Sequence, residues 1–252
     1  MPYLRENGRP HGSTTWNSSE REQVGLLMAN VTRDQIHFLI FKLHSLTGIV
    51  PIGAFLVLHF SINSLRTVGV WQYQLSIDVI NNLPFLLFIE ITFILIPILF
   101  HSLVGFYIYF NGKSNPFRYN YSKNWMYTLQ RITGAIVFAF LVYHVGTTVV
   151  PKLLYGKTQF AAAPFLIDIM NLEFQSWTGR IIYLIGIFSA TFHFANGLWG
   201  FCISWGLIVG RTAQRNASYL FMLFGLVLTF MGLATVFEFS LHPTPVEATV
   251  PG

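Results

Sequence analysis

The sequence predicts an all-α membrane protein with five transmembrane helices in a bundle, and three observations carry that prediction. Of 252 residues, 53% are hydrophobic and only 10% are charged. Soluble domains carry about a quarter charged residues, so most of this chain's surface is suited to lipid. Apolar runs of about 20 residues, enough to cross about 30 Å of hydrocarbon, occur five times between polar clusters. Aromatic residues reach 17%, with 25 Phe, which fits a bilayer interior and its two interfaces.

The same composition excludes disorder, collagen-like repeats and a disulfide scaffold. The single cysteine, Cys202, lies in an apolar run and reads as a small buried hydrophobe. The net charge of +5 comes from 15 Lys and Arg scattered between the apolar runs. That scatter points to membrane topology and away from nucleic acid.

Residues 1–35 mix Arg5, Glu6, Arg9, Glu20, Arg21 and Glu22 with Gly, Ser and Pro. They have neither a long apolar core nor a cleavage pattern, and read as an exposed cytoplasmic arm, not a signal peptide. Residues 36–242 form the five-helix transmembrane domain, and 243–252 a short C-terminal tail. The spans fall near residues 38–62, 84–110, 126–150, 181–209 and 219–241. Each must be helical, because an isolated strand leaves its backbone unbonded in lipid and these runs are too long for barrel strands. The longest outer connection is 151–179. Its apolar stretch 161–170 is too short to span and reads as an interfacial helix or re-entrant piece. No internal repeat of a transporter kind is visible.

Basic flanks set the orientation. With the N-terminus cytoplasmic, that side holds Arg5, Arg9, Arg21, Arg33, Lys113, Arg118, Lys123, Arg211 and Arg215, against Arg66, Lys152, Lys157 and Arg180 outside. The excess predicts N-inside and C-outside.

Five histidines, His44, His59, His101, His144 and His193, fall within the spans. Ionisable groups are costly in lipid and face a protein interior with a partner. One such residue is readily a neutral imidazole bonded to a neighbouring helix; five together point to function. A rise of 1.5 Å per residue places His59 about 30 Å along the first helix and His144 about 27 Å along the third, both near the outer face. The second and fourth helices descend, which puts His101 about 25 Å and His193 about 18 Å below the outer face. Two opposed imidazoles at one depth suit six-coordinate, low-spin haem iron, so the two levels predict two b haems stacked across the membrane. Zinc fits less well, because its ligands must converge on one ion. A histidine proton relay stays open, although it would favour Asp and Glu partners, and only Glu90 and Glu238 lie within spans.

His44, about 9 Å into the first helix, competes in depth with the inner pair. It is assigned hydrogen bonding to a haem propionate or a quinone, with a plain structural role as the alternative. Gly134 and Gly186 lie at the inner and outer levels, where a missing side chain would let the backbone approach a flat ring; close helix contact is the competing reading. Arg131 is a candidate propionate partner, or a snorkelling cation.

The residues Lys42, Leu43, His44, Ser45, Leu46, Thr47 and Gly48, followed by Pro51, Gly53 and His59, carry a resemblance. So do Asn124, Trp125 and Met126 with Leu129, Gln130, Arg131, Ile132, Thr133 and Gly134, and the run from Phe192 and His193 through Asn196 to Trp199. Over about residues 38–239 the chain resembles the five-helix dihaem cytochrome b subunit of succinate:menaquinone oxidoreductases and fumarate reductases. The resemblance implies an outer haem on His59 and His144 and an inner haem on His101 and His193. It also implies a flavoprotein subunit and an iron-sulfur subunit on the cytoplasmic face, menaquinone as the quinone, a bacterial cytoplasmic membrane, and leaves open a dimer of the whole complex.

Residues 113–123 with Arg211 and Arg215 are docking candidates. No dicarboxylate site and no catalytic residue are assigned to this chain; the resemblance implies that its chemistry is electron transfer and quinone exchange. Some fumarate reductases of the family carry a proton-conducting glutamate on the fourth helix, whereas Thr191, which cannot titrate, stands two residues before His193. Glu90, Asn81 and Asn82 are candidates for an outer quinone pocket, since a quinone needs hydrogen-bond donors and a proton carrier; helix capping is the alternative. Three rival functions remain: a haem-free transporter or proton relay, a dihaem anchor of another oxidoreductase, and a structural anchor with degenerate haem sites.

Overall fold

An unbonded backbone group costs several kcal/mol in hydrocarbon, so apolar runs there fold as helices. The computed structural model describes residues 17–155 and 162–244, and all regular structure among the described residues is helical. Five helical spans are long and apolar enough to cross a bilayer: Thr32–Thr67, Leu86–Asn111, Ser122–Pro151, Trp177–Ser204 and Arg211–Leu241. They match the five runs expected from the sequence. The fourth ends earlier and the fifth starts earlier than expected, because Gly206 (φ 72°) and Gly210 (φ 89°) take left-handed conformations and turn the chain between them.

The chain divides into two units, residues 1–42 and 43–252. Helix α1 (Ser18–Ile49) starts in the first and ends in the second, and it opens with a reciprocal cap. Asn17 Oδ1 accepts from the Glu20 N–H and Glu20 Oε2 accepts from the Asn17 N–H, each at 2.8 Å, which satisfies two donors that the first turn leaves over. The expected arm is therefore helical from Ser18; its first 16 residues lie outside the described residues. Ile36, Phe38 and Leu39 are exposed, as suits side chains that meet lipid.

In the second unit, Pro51 has no N–H for the Thr47 carbonyl, and span one resets there from α1 into α2 (Pro51–Ser64). A 3-10 turn (Leu65–Thr67) leads to α3 (Val70–Asn81). Asn81 and Asn82 thus end a separate short helix and do not belong to the second span. Gly69 and Pro84 bracket that helix as breakers. After Phe85, in the left-handed region at φ 57°, come α4 (Leu86–Ile89), a π-helical turn (Glu90–Leu95) and α5 (Ile96–Asn111). Pro97 accounts for the widened turn, since its ring cannot bond the preceding turn and clashes with the Phe93 carbonyl.

The remaining helices are α6 (Ser122–Tyr155), α7 (Ala162–Gln175), α8 (Trp177–Ser204) and α9 (Arg211–Leu241). Ser176 Oγ caps α8 by accepting from the Gly179 N–H at 3.3 Å. The short apolar piece expected at 161–170 is α7, which buries Ile167, Met170 and Phe174 against Tyr73, Tyr183 and Phe239. Helices α3 and α7 close one end of the bundle, called here the cap.

Small residues bring α8 and α9 together: a Cβ on Gly225 would stand 2.8 Å from the Ala195 Cβ. At the same interface Thr191 and Thr229 share a hydrogen bond of 2.7 Å. Thr191 therefore points at α9. Under the cap, Arg66 is 2% exposed. Its Nη1 meets Glu238 Oε1 at 3.2 Å, and its Nη2 donates to the His242 carbonyl (2.7 Å) and Thr244 Oγ1 (2.8 Å). The guanidinium lies 4.9 Å over the Phe239 ring. Lys157 and residues 245–252 of the tail lie outside the described residues.

Candidate functional site

Two pairs of histidines face each other across the helices, at two levels. Nearer the cap, His59 on α2 and His144 on α6 have ring centroids 5.8 Å apart and planes at 78°. On the far side from the cap, His101 on α5 and His193 on α8 stand 6.2 Å apart at 85°. These are the pairs that helical depth predicts.

The spacing can be tested against haem iron. A metal–imidazole bond is about 2.0 Å and the ring centroid lies about 1.1 Å behind the nitrogen, so two axial imidazoles on one iron stand about 6.3 Å apart. Both pairs meet that requirement within about half an ångström. Iron held by two imidazoles would still need four ligands, which the nitrogens of a porphyrin would supply.

The hydrogen bonds behind the rings select the tautomer. His101 Nδ1 donates to the His44 carbonyl at 2.9 Å, and His193 Nδ1 donates to the Gln130 carbonyl at 3.0 Å. A carbonyl only accepts, so Nδ1 carries the hydrogen and the lone pair is left on Nε2. At the cap-side level, His144 Nδ1 lies 3.0 Å from the Tyr183 hydroxyl. The donor set fits bis-histidine haem at both levels.

His44 does not oppose a partner. Its ring stacks on His101, with centroids 4.0 Å apart and planes at 14°. Its Nδ1 is buried without a hydrogen-bond partner. Close packing around the far-side pair depends on two glycines. A Cβ on Gly48 would come within 2.5 Å of His101 Cε1, and one on Gly134 within 2.9 Å of His193 Cε1. Gly134 thus admits the His193 ring itself, where the sequence reading has it admitting a macrocycle. Gly186 admits Phe140, whose ring would lie 2.4 Å from an added Cβ.

The other expected site residues are placed elsewhere. Arg131 is engaged at the C-terminal end of α5: it donates to the Tyr109 carbonyl and to Ser114 Oγ and lies over the Tyr109 and Tyr127 rings. Its contacts serve a helix terminus whose carbonyls need donors. Glu90 sits in the π-helical turn. Asn81 and Asn82 donate through their amides to the Ile77 and Asp78 carbonyls of their own helix.

Sequence reasoning did not assign a role to Tyr183, Gly48, Gln130 or Asn196. Gln130 Nε2 donates to the His193 carbonyl at 3.0 Å, and Asn196 Nδ2 donates to Gln130 Oε1 at 2.7 Å and to the Met126 carbonyl at 3.1 Å. Together they tie α6 to α8 at the far-side level. A polar side chain three residues from a span histidine was the available signal for Asn196.

The family model for the succinate dehydrogenase/fumarate reductase transmembrane subunit matches residues 111–233. The succinate dehydrogenase cytochrome b558 subunit of Bacillus subtilis (strain 168) is 33% identical over 198 residues, which cover 79% of this chain and 95% of that protein. With this likeness along most of its length, and five helical spans, the chain belongs to the cytochrome b membrane-anchor family of succinate dehydrogenase and fumarate reductase.

Proposed function

We propose that this anchor holds two b haems and carries electrons between an iron-sulfur subunit and menaquinone. His59 and His144 would hold one haem, His101 and His193 the other. Six-coordinate, low-spin b haem supplies one-electron transfer without binding oxygen. The observation that carries the reading is the pair of opposed imidazole sets, 5.8 and 6.2 Å between centroids.

The protein's part is to orient the rings and keep Nε2 available. The far-side carbonyl acceptors fix the tautomer, and Gln130 and Asn196 hold α6 and α8 in register. His44 Nδ1 is placed to donate to a haem propionate or a quinone oxygen. Arg131, close to that end of the bundle, is the less favoured propionate partner, because its guanidinium already serves α5. Gly134 and Gly186 act by seating rings. For quinone exchange, Glu90 is the proton-carrying candidate; Asn81 and Asn82 are weaker ones, since their amides bond their own helix.

In this reading the chain lies in a bacterial cytoplasmic membrane with the cap outside and the N-terminus cytoplasmic, as the Lys and Arg bias supports. A flavoprotein carries the dicarboxylate chemistry. The iron-sulfur subunit docks against residues 113–123, Arg211 and Arg215. A redox titration of the reduced-minus-oxidised spectrum of the purified complex tests the proposal. Two low-spin b components are expected; one component overturns the dihaem reading, and no b-type α-band restores the haem-free relay.

A further inference from the structure

The two levels differ in what lies behind their ligands. On the far side, both Nδ1 hydrogens end on main-chain carbonyls, at 2.9 and 3.0 Å. On the cap side, His144 Nδ1 faces a side chain, the Tyr183 hydroxyl at 3.0 Å. Tyr183 is 5% exposed. Its ring is held edge-on by Phe174 (4.7 Å, 78°) and Phe140 (5.2 Å, 83°). Phe140 in turn stacks on the His144 ring at 5.6 Å and 19°, in the space that Gly186 leaves. The phenol's own hydrogen has Met170 Sδ at 4.0 Å as an acceptor, so an oxygen lone pair is left for the imidazole.

We propose that Tyr183 is a positioning residue for the cap-side haem: its hydroxyl accepts the Nδ1 hydrogen of His144, fixes which nitrogen faces the iron, and lowers that haem's midpoint potential. The inference rests on the reading of His144 as an iron ligand. An acceptor behind Nδ1–H pushes electron density onto Nε2, which makes the imidazole a stronger donor and favours ferric over ferrous iron. The far-side haem draws this effect from backbone oxygens that no substitution removes. At the cap-side level the His144 ligand draws it from one replaceable phenol, so a side chain tunes that haem's potential.

The test is Tyr183→Phe in the intact membrane complex, followed by redox titration and low-temperature electron paramagnetic resonance. Two b components should remain. One should titrate at a higher midpoint with a shifted low-spin gmax, and it should be the component that His144→Ala removes; the other should stay at its parental values. No shift in either component, or an equal shift in both, overturns the proposal. If Tyr183→Phe assembles without the cap-side haem, site-specific 3-fluorotyrosine and 3,5-difluorotyrosine at position 183 keep the packing and weaken the acceptor in steps. The midpoint should then climb with each fluorine, and a flat series refutes the role. Retention of both low-spin haems in His144→Ala refutes the ligand reading itself, whatever position 183 does.

Discussion

If each pair holds one haem iron, as proposed, removing one imidazole leaves a single axial ligand, so each histidine substitution should act on one level only. His59→Ala is expected to remove one b component or turn it high-spin while the other keeps its potential; His193→Ala should do the converse, both read from difference spectra. Gly48→Leu places a branched side chain where a Cβ alone would be 2.5 Å from His101, and should reduce the low-spin far-side component with little effect on the cap-side one. The pairing of the four histidines was legible in the sequence because ionisable residues stand out in apolar runs and a constant helical rise turns numbering into depth. Their supporting residues were not. Whether Tyr183 or Gln130 meets a ligand depends on helix rotation and on the neighbouring helix, and depth contains neither. The same blindness explains Gly134 and Gly186, which lie at the expected levels but meet the His193 ring and Phe140.

Each span was legible from length and apolarity, whereas breaks inside and between spans were read less well. Pro51 interrupts span one, and Pro97 sits after a π-helical turn that shifts the register of Glu90. Hydropathy does not register either event. Helix α3 went unread because its polar and apolar residues alternate without a long apolar run. The α8–α9 contact carries a prediction at this scale. Thr229→Val keeps shape and deletes the 2.7 Å hydrogen bond to Thr191. Interhelical hydrogen bonds in membranes average about 0.6 kcal/mol with a ceiling near about 1.7. The variant should therefore lose about 0.6 kcal/mol, and no more than about 1.7, in thermal or denaturant unfolding in detergent and keep the b-haem spectrum of the parent. Haem loss would mean that this contact positions His193.

At the scale of the molecule, one buried ion pair ties the end of span one to the end of α9. Arg66 reads in the sequence as a topology charge on an outer loop, because its partner Glu238 is 172 positions away. Only the fold brings them together. Arg66→Met removes the cation from Glu238 and leaves it the His242 ring at 3.3 Å; breaking a fully buried pair costs about 3–5 kcal/mol, so with that second partner and the partial exposure of Glu238 the loss should fall below about 3 kcal/mol. Arg66→Met combined with Glu238→Met should recover much of that loss in thermal unfolding, since two apolar groups need no compensation. The clasp also bears on how the protein is made. Synthesis proceeds from the N-terminus, so the Arg66 guanidinium emerges long before the carboxylate it needs has left the ribosome. Until the last helix is threaded into the bilayer, that cation can lean only on headgroups and water, which makes its capture a closing step of biogenesis. A fusion tag placed just past Thr244 would sit against this latch and should be spaced away from it.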